Sequence, residues 1–253
     1  MNILETFLYY FYAPNGRFEA CGMFTLSHIV AVFISIAFII VALLFLRKID
    51  EVKKLRLTRL IAIILTVLEA IKILHSFIYK DLHLDAWFPL SYCGLFIFAA
   101  WMYGFGNRII KKSASDFISY GCIIAGIAFL IFPTTSLMSY PAWHFFSLYS
   151  LFYHSVMIVF GIIFLKDRPK LNKKDYFGYS SFVIIFAIIA IILNCIYGSN
   201  LMNLREPYNI PIAFLQNAYS ILPASYTLIT LVGYLIIPFF SENIAKILKR
   251  QVR

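Results

Sequence analysis

Seven stretches of this chain are apolar on nearly every face: residues 29–46, 60–79, 88–106, 117–133, 145–165, 177–198 and 212–240. Each approaches or exceeds the ~20 residues that a helix needs to cross a hydrocarbon core. In lipid, backbone polar groups must be satisfied within the segment, so the pattern predicts helices rather than open strands. The expected fold class is therefore all-α, a polytopic bundle of seven transmembrane helices forming one membrane domain over residues 1–253. Pro223 lies inside the last and longest stretch. A proline there removes a helix hydrogen bond and predicts a kink. Residues 1–24 are expected on the extracytoplasmic side, with the Phe- and Tyr-rich residues 1–12 at the interface, and residues 241–253 form a basic tail.

Lys and Arg set the orientation, because positive connections stay in the cytoplasm. Of 22 such residues, eighteen fall in the connections after the first, third, fifth and seventh stretches. Only Arg17, Lys80 and Arg205 fall in the opposite set, and Lys72 lies within a helix. This asymmetry places the N-terminus outside and the C-terminus inside. An internal repeat is also suggested: Pro89-Leu90-Ser91-Tyr92 opens the third helix and Pro223-Ala224-Ser225-Tyr226 lies in the seventh. A 3+1+3 parallel duplication would explain the recurrence, as would coincidence in a chain rich in Ser and Tyr.

Composition narrows the function classes. With 62% apolar and 13% charged residues, the chain cannot present a wholly water-facing surface. The net charge of +10 would suggest a nucleic-acid partner in a soluble protein, but here the positive residues separate apolar stretches and act as topology signals, so no nucleic acid is expected. Cys21, Cys93, Cys122 and Cys195 are scattered, with neither metal-ligand spacing nor a disulfide framework.

Polar groups within spanning helices are costly unless they face other helices or a wet cavity, which makes each a functional candidate. Glu69, Lys72, Ser76 and Tyr79 recur every three or four residues on the second helix, with His75 beside them. Glu69 and Lys72 can form a structural ion pair one turn apart, or orient a substrate. His28, His75, Cys93, Asn194 and Asn200 fall in the outer half of the bundle, and His154 lies ten residues, or ~15 Å, beyond His144. Together they predict a polar cavity opening outward. His28 and His144 equally suit interfacial hydrogen bonding, whereas His154 requires a partner at mid-depth. Cys93 follows Trp87-Phe88-Pro89 near a helix start, where a thiol is biased toward the reactive thiolate.

The whole chain resembles the YwaF-like bacterial integral membrane family, distantly related to an animal transmembrane acyltransferase of ether phospholipids. The resemblance rests on Phe24-Thr25-Leu26-Ser27-His28, Pro89-Leu90-Ser91-Tyr92-Cys93, Gly126 with Phe132-Pro133, Pro141-Ala142-Trp143-His144-Phe145 leading to His154, and Gly198-Ser199-Asn200-Leu201-Met202 with Pro207. The family pattern has His where this chain has Ser91, Tyr where it has Leu201, and an acid where it has Thr134. The resemblance implies a multi-pass protein of the bacterial plasma membrane in which Cys93 carries an acyl group, with His154 and His28 as its catalytic partners. Such an acyltransferase or lipid-ester hydrolase would meet its lipid through Glu69, Lys72, His75, Ser91, His144 and Asn200. It needs no cofactor and no metal, and its partners are the surrounding membrane lipids. Two other function classes suit the same polar interior: a transporter of a small solute or lipid, and a structural membrane partner protein.

Overall fold

The computed structural model describes residues 2–80, 83–166, 168, 170–207 and 213–251, and every regular element among them is helical. In chain order these are α1 (Ile3–Tyr10), α2 (Leu26–Leu46), α3 (Glu51–Ile78), α4 (Leu84–Trp87), α5 (Leu95–Phe105), α6 (Arg108–Ile131), α7 (Ser136–Ser139), α8 (Phe145–Leu165), α9 (Lys173–Tyr197), a 3-10 turn at Leu201–Asn203, α10 (Ala213–Ile221) and α11 (Pro223–Gln251). Met1, the start of the last predicted stretch at Ile212 and the final two residues of the basic tail lie outside the described residues.

Local chemistry explains where the helices start. Asn2, Thr25, Asp50, Asn107 and Asn172 accept first-turn backbone N–H groups of α1, α2, α3, α6 and α9, and His144 does so for α8 through Nδ1. Among the described residues six helices are long and apolar enough to cross a membrane: α2, α3, α6 with its continuation to Ser139, α8, α9 and α11 over Pro223–Ile244.

The stretch at 88–106 differs from expectation. Its regular part, α5, has only 11 residues, about 16 Å of helix. Pro89 cannot donate a backbone hydrogen bond, and residues 88–94 turn irregularly instead. The freed Leu90 carbonyl accepts the Met202 N–H at 2.8 Å, so the irregular backbone is satisfied by protein. Pro223 also acts differently from the predicted kink. It is the first residue of α11, separated from α10 by Leu222, because proline disfavours helix at the residue before it and is well suited to a first turn.

At the centre stands α6, packed against α5, α8, α9 and α11. A side chain at Gly126 would sit 2.5 Å from Ile158 Cγ1 and 2.8 Å from the His154 carbonyl, so the α6–α8 crossing depends on glycine. Much of the apolar surface of α2, including Phe33, Ile34, Leu44 and Phe45, remains exposed, as suits a helix long and apolar enough to meet lipid.

Candidate functional site

Phe145, Tyr149 and Tyr153 recur every four residues and form a stripe on one face of α8. The Tyr149 hydroxyl donates to Glu69 Oε2 at 2.7 Å, while the other Glu69 oxygen pairs with Lys72. The Glu69 side chain is only 8% exposed and that of Lys72 23%, so the predicted ion pair exists and the carboxylate has a second partner from another helix. One turn along, the Tyr153 hydroxyl donates to the Cys93 carbonyl at 2.8 Å.

Cys93 is partly buried in the irregular segment that precedes α5. Ser91, expected to touch substrate, is exposed, and its Oγ accepts the Gly94 N–H at 2.9 Å. This short-range bond fixes the turn that presents Cys93. Gly94 is required there, because an added Cβ would lie 2.2 Å from the Pro89 carbonyl oxygen.

The four intramembrane and interfacial imidazoles divide by tautomer. A carbonyl oxygen can only accept, so any ring nitrogen facing one must carry the proton. His28 Nε2–H donates to the Leu130 carbonyl at 3.1 Å while Nδ1 accepts the Phe24 N–H. His144 follows the same pattern, with Nε2–H on the Ala13 carbonyl at 3.1 Å and Nδ1 accepting the Phe146 N–H at 3.2 Å. His75 Nε2–H donates to that same Ala13 oxygen at 2.9 Å. His154 reverses the pattern: Nδ1–H donates to the Ser150 carbonyl at 2.7 Å, which leaves Nε2 as the basic nitrogen. Its ring lies flat on Phe129, with centroids 3.6 Å apart, and edge-on to Tyr153 at 5.4 Å. Among the described residues no hydrogen bond joins His154 to Cys93; Tyr153 contacts both.

In place of a cavity open at the end where α3 finishes and α8 starts, the structure has the chain's own N-terminal segment. Tyr12 and Ala13 are buried, the Phe11 carbonyl accepts the Phe145 N–H at 3.0 Å, and the Tyr12 hydroxyl donates to the Ile71 carbonyl. His75 and His144, expected at the substrate, hold this strap. Burial, opposed by the Ala13 bond and reinforced by nearby His75, lowers the His144 pKa from 6.5 to about 4, so its ring is neutral.

Asn200, also expected at the substrate, organises its own loop. Its Oδ1 accepts the Arg205 and Glu206 N–H groups, its Nδ2 donates to the Glu206 carbonyl, and its N–H donates to Asp85. Next to it Met202 and Asn203 adopt φ of +54° and +50°, a strained conformation for these residues. It is held by Asn194, which bonds both the N–H and the carbonyl of Leu201.

Several residues of the interior are not singled out by the sequence pattern. Tyr149 and Tyr153 were legible only as a four-residue aromatic spacing. Lys112, Asp116, Arg168 and Asp175 form one ion network where α6 and α9 begin, of which only the Lys112 and Asp116 spacing could have been noticed. Among the described residues no group of three or more His, Cys, Asp or Glu side chains is arranged to hold a metal ion.

Comparison with curated proteins finds no match, and comparison with solved structures finds none either. The TMEM164 family, in contrast, matches residues 23–238, from just ahead of α2 to well into α11 and including Cys93, His154 and the Tyr149–Glu69–Lys72 cluster. With that much of its length matched, this multi-pass membrane protein belongs to the TMEM164 family.

Proposed function

We propose that the chain transfers a fatty acyl group from a membrane lipid through a thioester on Cys93, to a second lipid or to water. The observation that carries this is the reversed tautomer of His154, which leaves a basic Nε2 beside the Tyr153 side chain that holds the Cys93 carbonyl. In the first half-reaction Nε2, through a bridging water or lipid hydroxyl, takes the thiol proton. The thiolate attacks the ester carbonyl carbon, the C–O bond breaks, and the departing alkoxide takes the proton back. In the second half-reaction a hydroxyl or water attacks the thioester and returns the thiol. His28, with both nitrogens engaged, serves as a positioning residue that ties α2 to α6. Ser91 presents Cys93, Asn200 braces the neighbouring loop, and Glu69 with Lys72 polarises the lipid headgroup. The His75 and His144 N–H groups donate to a lipid oxygen when the strap departs.

The same reading keeps seven crossings, with residues 88–94 and α5 together making the short one, the N-terminus outside and the C-terminus inside. It also keeps the 3+1+3 repeat, supported by the way both Pro-x-Ser-Tyr segments grip one turn: Leu90 accepts from Met202 and the Tyr226 hydroxyl donates to the Asn203 carbonyl. A bacterial plasma membrane and the YwaF-like branch of the family remain part of the proposal.

The test is to incubate purified protein with a phospholipid carrying a labelled acyl chain. The expected product is a hydroxylamine-sensitive adduct that Cys93→Ala abolishes and His154→Ala slows, each with folding intact. Equal labelling of Cys93→Ala removes the thioester mechanism and moves transport to first place.

A further inference from the structure

A cavity of about 650 Å³ lies where α3 begins, α5 ends and α6 begins, on the other side of the bundle's length from the strap and unused by the acyl chemistry. Its floor is apolar, formed by Val52, Leu55 and the ring of Tyr103, and its rim carries Arg108, Lys111 and Lys112.

The balance of charges on this rim differs from that of an ordinary topology signal. Glu51, the acid at the edge, is paired with Lys54 at 2.5 Å. Lys112 is held between Asp116 and Asp175 at 2.8 and 2.6 Å. Arg108 and Lys111 have no acidic partner among the described residues, and the Lys111 ammonium is fixed 5.0 Å above the Tyr103 ring. Two unbalanced positive charges thus overhang an apolar floor, in the first turn of a 24-residue helix whose dipole adds to them. Ser115 Oγ accepts from Arg168 at 2.6 Å, which leaves its hydroxyl hydrogen free to donate into the cavity. The network of Lys112, Asp116, Arg168 and Asp175 ties this wall to α9, so the rim is preorganised.

We infer that this cavity seats the phosphate-bearing headgroup of an anionic phospholipid, with the phosphate on Arg108, Lys111 and the Ser115 hydroxyl and the first acyl carbons on Val52 and Leu55. A soluble phosphate would use the cations but leave the apolar floor wet. A lipid satisfies both, and it arrives from the bilayer that surrounds the helices.

The test is independent of acyl transfer. Purified protein in phosphatidylcholine nanodiscs is titrated with fluorescent phosphatidylglycerol at moderate salt. Arg108→Gln with Lys111→Gln is expected to weaken binding roughly tenfold or more, since both unbalanced cations that face the anionic headgroup are lost. Lys111→Glu alone should weaken it at least as much. Lys48→Gln with Arg56→Gln removes two exposed cations outside the cavity and is expected to leave binding nearly unchanged. Equal losses in the two double variants would mean diffuse surface charge and overturn the proposal. So would displacement of the lipid by millimolar inorganic phosphate, which would make the cavity a site for a soluble ion.

Discussion

Lys72→Met should damage the protein more than Glu69→Gln, although the two residues are partners. Removing Lys72 leaves a carboxylate that is 8% exposed with only the Tyr149 hydroxyl at 2.7 Å, and stranding a buried charge in this way costs about 3–5 kcal/mol. Removing the Glu69 charge leaves Lys72, whose side chain is 23% exposed and whose long stem lets the ammonium turn toward a wetter region. Gln at position 69 would still accept from Tyr149, so the expected cost is about 1–2 kcal/mol. The double variant should recover about 2 kcal/mol of the Lys72→Met loss, because it no longer strands a charge. Tyr149→Phe should cost up to about 1.5 kcal/mol, the upper end for hydrogen bonds between transmembrane helices, because this bond is charge-assisted. A detergent-to-SDS unfolding titration followed by tryptophan fluorescence reads these differences. Simple addition of the Glu69 and Lys72 losses, or greater damage from Glu69→Gln, would refute a buried pair of this kind.

The strap should loosen in acid. Because folding depresses the His144 pKa from 6.5 to about 4, docking is most stable above pH 6.5 and weakens as pH falls toward 4, by at most about 1.4 kcal/mol per pH unit. Hydrogen exchange of residues 2–13 should rise over that window, and His144→Asn should flatten the response, with His75, Tyr12 and Tyr140 as the facing groups left in place. Gly94→Ala should displace the turn that presents Cys93, costing about 1–3 kcal/mol and altering the rate at which a small maleimide reaches that thiol; an unchanged rate would show that the turn does not control it. In intact cells lacking native cysteines, an impermeant thiol reagent should label Arg17→Cys and spare Lys53→Cys. The reverse pattern would invert the orientation.

The sequence by itself determined most of the long helices, because the signals for them are local. Apolar length, a capping Asn, Asp or Thr, and a three-residue spacing of Glu69 and Lys72 all act within a turn or two of one segment. The 145–165 stretch coincides with α8, and Thr25, Asp50, Asn107 and Asn172 start their helices as short-range capping chemistry dictates. Only the tertiary structure decided which polar group meets which. Tyr149 reaches Glu69 across 80 residues, and the Ala13 carbonyl meets His75 and His144 across 62 and 131. Such pairings depend on how the helices rotate and slide against each other, which close approaches such as Gly126 against α8 set, and no spacing within one segment encodes that. The same holds for the 88–106 stretch: its apolar composition permits a full helix, but Pro89, the Ser91–Gly94 bond and the distant Met202 N–H together favour an irregular turn ahead of a short one.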